Sequence, residues 1–222
     1  MLGYEVKFET VTVGTSQYTI RSLLDRMQYW DPHGDAERAG VSSASWPLFG
    51  LIWPSARVLA LAMDSFDIAG KRVLEIGAGL ALASLVIHRR HGNMTVSDRH
   101  PLSPVFLCKN TELNHMQPLN YVASDWSGAN PGLGRFELII GSDVLYERQQ
   151  PAQLAAFIDN HAAPAAQIVI VDPDRGNRAR FCQEMNRLGF ECSAQRVGPN
   201  LESGEPYKGR ILAFKRLARP MM

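Results

Sequence analysis

Val73-Leu74-Glu75-Ile76-Gly77-Ala78-Gly79-Leu80-Ala81-Leu82 is the stretch that decides the fold. An apolar run suited to a buried strand meets an acid, then a Gly-x-Gly turn, then a helix start. Gly77 and Gly79 carry no Cβ, so the backbone there turns tightly and lies close against a ligand. The helix that follows opens with N–H groups that have no partner in its own first turn. Glu75, just ahead of the turn, suits a ribose diol as hydrogen-bond acceptor. Farther on, Met94-Thr95-Val96-Ser97 reads as a second strand and ends in Asp98. A separation of about 20 residues predicts one βαβ nucleotide-binding unit with an acid for ribose hydroxyls.

A dinucleotide site calls for a third small residue, as G-x-G-x-x-G or A. Leu82 stands at that position, which argues against a pyrophosphate cofactor and a nicotinamide dehydrogenase. An acid before the turn, a Gly-x-Gly and an acid closing the next strand resemble instead the S-adenosylmethionine (SAM) site of a class I methyltransferase. A plain strand–turn–helix with glycines for packing is the alternative at this point.

The 222 residues suffice for one domain, 1–222, with a sizeable core. Residues 1–49 read as an N-terminal extension and 50–222 as the main body. A net charge of +1 gives no reason to expect nucleic acid or an anionic membrane as partner. No apolar run reads as approaching the roughly 20 residues of a membrane span. Met1-Leu2-Gly3-Tyr4-Glu5 does not read as the start of a signal peptide. Cys108, Cys182 and Cys192 have no CxxC spacing, so neither a disulfide framework nor a zinc site is expected. The histidines form no HExxH-type pair, and no metal is expected. A cytoplasmic monomer is the expectation.

Along the chain, period-two alternation predicts a strand over 6–13, a turn at Gly14-Thr15-Ser16 and a second strand over 17–23. Residues 31–45 are polar and read as a loop. Pro54 opens a helix to 63, a favoured place for proline. Strands are predicted over 72–76, 94–97, 120–123, 136–140 and 167–171, the last apolar enough to be buried on both faces. Helices are predicted over 80–90, 101–115, 150–161 and 178–188, the last stopped by Gly189. Residues 190–197 and 210–216 read as an antiparallel final strand pair. Alternating β and α predicts an α/β fold: a Rossmann-like, seven-stranded, mostly parallel sheet with helices on both faces, preceded by a β-hairpin.

In such sheets ligands lie beyond the carboxyl ends of the strands. The residues there are Glu75 and Gly77, Asp98 and Arg99, Asp125 and Trp126, Ser142 and Asp143, and Asp172. Asp98 suits the ribose. Asp125 suits an adenine amino group, or else is a turn acid before Ser127-Gly128. Trp126 suits stacking on a base, worth about 1–3 kcal/mol in nucleic-acid sites, or else a place in the core.

Taken together the chain resembles one family, the seven-stranded lysine methyltransferases known as methyltransferase family 16. The matching elements are Gly50-Leu51-Ile52-Trp53-Pro54-Ser55-Ala56, the run from Val73 to Leu82, Ser97-Asp98-Arg99, Ser124-Asp125-Trp126 and Gly141-Ser142-Asp143-Val144-Leu145-Tyr146. Asn110 and Asn114 also suit it. Ala81 departs from the pattern where relatives usually carry a third glycine. Asp172-Pro173-Asp174-Arg175 matches no signature of the family, so the last third says little about substrate.

The resemblance implies SAM as cofactor, with contacts from Trp53, Gly77, Ala78, Gly79, Asp98, Trp126 and Ser142. An indole face near a sulfonium stabilises it by about 0.5–2 kcal/mol; Trp53 also suits a simple anchor for the Pro54 helix. Asp143 and Tyr146 fall where the family's substrate-side residues lie. Asp143 is expected to orient an acceptor amine, or else to cap the next helix, and Tyr146 to line its channel. Arg175 or Arg178 suits a clamp on a carboxylate, or solvent. The expected activity is N-methylation of a protein lysine. Methylation of a small amine and a non-catalytic SAM-binding module are the alternatives.

Overall fold

The computed structural model describes residues 3–128, 130, 132–147, 150–198, 204 and 206–217. Met1 and Leu2, where the N-terminal reading begins, lie outside the described residues. The elements in chain order are β1 (Val6–Val13), β2 (Ser16–Leu23), α1 (Asp35–Arg38), a 3-10 turn (Trp46–Gly50), α2 (Pro54–Ser65), β3 (Arg72–Ile76), α3 (Leu82–Arg89), β4 (Asn93–Asp98), α4 (Ser103–Leu113), β5 (Asn120–Ala123), β6 (Phe136–Ser142), α5 (Gln150–His161), β7 (Ala162–Asp172), α6 (Arg178–Arg187), β8 (Glu191–Arg196) and β9 (Arg210–Arg216). Seven strands form one sheet in the order β5-β4-β3-β6-β7-β9-β8, and β1 and β2 pair by themselves. The pairs from β5 through β7 are parallel; β9 runs antiparallel to both β7 and β8. The strand order reverses at β3, so β3 and its two neighbours meet where an α/β sheet opens a ligand crevice.

Strand pleating divides the core into two layers. Val73, Leu138, Ile140, Val169 and Val171 pack on one face with α2, α3 and the hairpin. Leu74, Ile76, Ile139, Ile168 and Ile170 pack on the other with α5 and α6. Both faces of β6 and β7 are covered, and the apolar runs seen in their sequences follow from that.

Some boundaries differ from the sequence expectation. The loop over 31–45 holds the one-turn α1. Helix α3 starts at Leu82 instead of 80 because Ala81 is left-handed. Strand β7 begins at Ala162, where a register shift against β6 between Phe136 and Leu138 absorbs the extra length. The stretch Trp46–Ser65, of mean hydropathy 1.3, is long and apolar enough to cross a membrane by length and composition. That corrects the reading that no such run exists. In the fold it is interrupted by extended backbone at Leu51 and Trp53, and half of it is buried inside the protein.

The hairpin is attached to α4 through two asparagines. Asn110 Oδ1 accepts from the Arg21 N–H (2.8 Å) while its Nδ2 donates to the Arg21 carbonyl (3.3 Å). Asn114 does the same at Thr19, at 2.9 and 2.8 Å. Four helical residues advance about 6 Å and two strand residues about 6.8 Å, so the two spacings nearly coincide. The side-chain amides thus stand in for a neighbouring strand and close an exposed edge. Asn110 is fully buried. Asn110→Ala leaves the Arg21 N–H and carbonyl unpaired, and is expected to destabilise the protein by about 1–3 kcal/mol. Denaturant unfolding measures the loss, and hydrogen exchange should rise first in β2.

Candidate active site

The carboxyl ends of β3, β4, β5 and β6 open on one cavity of about 380 Å³, within the size range of small-molecule sites. Its base is the loop from β3 to α3. The backbone is left-handed there at Gly77 (φ 55°), Gly79 (φ 54°) and Ala81 (φ 58°). A Cβ at Gly79 would lie 2.8 Å from the Phe49 carbonyl oxygen; one at Gly77 would lie 3.0 Å from Val144 and 3.4 Å from Trp126. Both positions therefore need glycine for space as well as for φ. Ala81 adopts the same conformation at a strain of about 1–2 kcal/mol.

Asp98 holds this loop. Its Oδ2 accepts from the Gly79 N–H and its Oδ1 from the His100 N–H, both at 2.8 Å. Burial raises its pKa, and these two donors pull it back. It remains half-buried on the cavity wall, and each oxygen keeps a lone pair for a ligand hydroxyl.

Glu75 is not on that wall. It shares the face of β3 that carries Val73 and is covered by α3, and it is 2% exposed. Its Oε2 accepts from the Ser84 N–H (2.9 Å) and from the Ser84 hydroxyl. Ala81 has no side chain to cap α3, so Glu75 supplies the cap from the preceding strand. The expectation of a ribose contact is corrected: strand alternation turns this carboxylate under the helix. Burial raises its pKa to about 7 against the pull of Ser84.

The other strand-end residues divide as follows. Gly77, Ala78, Gly79, Asp98, Arg99, Asp125, Trp126, Ser142, Asp143 and Tyr146 all line the cavity, as does Trp53. Trp53 precedes Pro54 at the start of α2, and its indole N–H donates to the Leu48 carbonyl at 2.8 Å, which fixes the ring. Asp125 is exposed and bonded to the Ser127 N–H (3.1 Å) and hydroxyl (2.8 Å): it is a turn acid at the rim. Arg99 approaches Glu147 at 3.8 Å. Asp172 is 1% exposed, lies off the wall and has neither carboxylate oxygen hydrogen-bonded. Burial, then Asp174, push its pKa up.

Asp143 does not cap a helix, because the residues that follow it, Val144 to Glu147, are not helical. Its N–H bonds the Val171 carbonyl at 2.8 Å, and its φ is 55°. The Arg175 guanidinium grips its carboxylate bidentately, Nε to Oδ1 and Nη2 to Oδ2, each at 2.6 Å. Arg178 is elsewhere, on Asp174 at 3.0 Å. Burial raises the Tyr146 pKa, while Arg99 and a hydrogen bond with Gln150 lower it, so this phenol stays protonated at neutral pH.

Sequence reasoning missed His100, which lines the cavity and stacks on Phe49 at a ring separation of 3.7 Å. Its Nδ1 accepts from the Leu102 N–H at 3.2 Å. Burial lowers its pKa to about 3, so the ring is neutral and carries its proton on Nε2, which is buried without a partner. Nothing in the local sequence distinguishes this histidine from a solvent-facing one.

Residues 47–187 match the model of a family described as lysine methyltransferase. The chain is 34% identical over 125 residues to protein N-lysine methyltransferase METTL21A of Danio rerio, covering 50% of this chain and 56% of that one. It is 24% identical over 165 residues to the electron transfer flavoprotein beta subunit lysine methyltransferase of Mus musculus, covering 72% and 62%. The chain thus spans little more than half the length of these relatives. Among solved structures, a Thermus thermophilus 16S rRNA N2 G1207 methyltransferase in complex with AdoMet and guanosine superposes with a TM-score of 0.65 at 14% identity, over 98% of this chain and 52% of that one. A methyltransferase from Pyrococcus furiosus gives 0.58 at 18%, over 72% and 81%. At these identities the structural matches speak for the fold.

Glu75 generates a pH prediction. Its pKa is raised in the folded state from 4.5 to about 7, so the folded protein binds the proton more tightly than the unfolded chain. The stability this contributes is complete below pH 4.5 and is lost as pH rises through about 7. Glu75→Gln keeps an acceptor for Ser84 and removes the titration. Its stability relative to the native protein should improve between pH 4.5 and 7, by up to about 3 kcal/mol, as read from urea midpoints at several pH values.

Proposed function

Since this chain belongs to the lysine methyltransferase family, we propose that it transfers a methyl group from SAM to the side-chain amine of a protein lysine. One observation carries the reading. One cavity is lined both by the glycine loop with Asp98 and by Asp143 with Tyr146. The first set has the features of a nucleoside site and the second those of an amine site.

The residues present fit SAM. The cavity has the necessary size, backbone approaches closely at Gly79, Asp98 offers acceptors for a diol, and two indoles border the space. Asp98 would hold the ribose, Trp126 the base, and Trp53 a face toward the sulfonium. When bound, SAM supplies a methyl group on a good leaving group. The protein's part is then to bring an uncharged nitrogen in line and exclude water. Asp143 and Tyr146 would orient that nitrogen, the phenol in its protonated form.

The test is incubation of the protein with methyl-labelled SAM and a whole-proteome extract, with a small-molecule fraction in parallel. Label should appear on lysine in a protein acceptor, located by mass spectrometry. Label confined to a low-molecular-weight amine would replace the protein substrate with a small one, and tight SAM binding without any transfer would leave a binding module. Asp98→Ala should weaken SAM binding by about 1–3 kcal/mol in calorimetry. Asp143→Asn should keep SAM affinity and lower turnover tenfold or more, about 1.4 kcal/mol in barrier.

A further inference from the structure

An ionised carboxylate beside an amine presents a conflict. It orients the nitrogen, but it also favours the charged ammonium, raising an amine pKa by about 1–3 units. An ammonium has no lone pair and does not attack. The acceptor nitrogen must first release a proton to water. Its lone pair then forms the N–C bond as the methyl carbon's bond to sulfur breaks, and that electron pair leaves on sulfur. The product is a methylammonium that keeps its charge in water, so the one proton released is the one lost before attack.

The surroundings of Asp143 resolve this conflict. Arg175 engages both carboxylate oxygens at 2.6 Å in the geometry that matches guanidinium to carboxylate. Asp143 (φ 55°) and Asp174 (φ 59°), the residue before Arg175, are left-handed without being glycine, strain of the kind that collects at functional sites. Asp174 is in turn pinned by Arg178 at 3.0 Å and Arg210 at 3.3 Å. The Asp143 side chain is 12% exposed, so solvent screens its charge little, while Arg175 also lines the cavity. The other ionisable groups facing this pair are Asp172 at the end of β7, Tyr146 after β6 and Tyr207 ahead of β9.

We propose that Arg175 is a positioning residue that acts through Asp143: by cancelling the charge of the carboxylate while leaving lone pairs free, it lets Asp143 orient the acceptor amine without holding it protonated. The proposal rests on the lysine-methylating reading above. It assigns a function to the first arginine of the Asp172-Pro173-Asp174-Arg175 turn.

The test is the pH dependence of the initial rate of label transfer from SAM into the protein fraction of a proteome extract. In Arg175→Ala the uncompensated Asp143 should hold the amine charged, and the rising limb of the profile should move up by about one pH unit or more. Arg175→Gln, which keeps the length and one donor group without the charge, should give the same shift and serves if the alanine variant fails to fold. In the Asp143→Asn/Arg175→Ala double variant the limb should fall back below that of Arg175→Ala, since the anion that holds the amine charged is gone. SAM affinity by calorimetry should be unchanged throughout. A rate that falls without movement of the limb overturns the proposal, as does a double variant whose limb stays as high as that of Arg175→Ala. Wild-type protein that transfers no label at any pH would instead defeat the lysine-methylating reading itself.

Discussion

The bond from the Gly79 N–H to Asp98 ties the loop after β3 to the end of β4. Asp98 has a second bond, to the His100 N–H, and so braces both chain segments at once. With the loop held this way, Gly79 sits against the Phe49 carbonyl, and α3 can start only after Ala81. The helix start, the cavity base and the position of the 3-10 turn therefore share one anchor. A charge-assisted bond of this kind is roughly twice as strong as a neutral one, which suits a loop that stores left-handed backbone at three residues.

The acids at the strand ends look alike in sequence, and packing makes each of them different. Glu75 lies under a helix and caps it. Asp98 is shared between loop and cavity. Asp125 is folded into its own turn. Asp143 is paired with an arginine from the turn after β7. Asp172 is buried off the cavity wall. The topology that gathers them was legible, because β/α alternation and the carboxyl-end rule depend on local pattern alone. The separate fates were not. Whether a carboxylate faces the cavity or the helix depends on which face of the strand it falls on, and on partners 9 to 32 residues away.

The same division appears in the fold. Strand β3 and the helix α2 after Trp53-Pro54 followed from residues within one turn of each other. Strand β7 starts earlier than its sequence suggests because its first residues, Ala162 to Ala166, have no β-branched side chain and are strand only by pairing. His100 was invisible for a related reason: its neutral state is set first by burial, which depends on distant residues such as Phe49 stacked on its ring. The Trp46–Ser65 run shows the reverse error, in which apolar content sufficient for a bilayer is spent on two short helices and a cavity wall.

The asparagine ladder between α4 and β2 has a consequence for how this molecule can vary. On the hairpin, Asn110 and Asn114 bond backbone groups of Arg21 and Thr19, and a backbone amide is the same whatever side chain it bears. The dock therefore reads the path of the hairpin and is blind to its letters. Outward-facing positions of β1 and β2, such as the exposed Phe8, are released from any duty in holding the hairpin. Their side chains are free to be rewritten while the hairpin stays seated over the same helix.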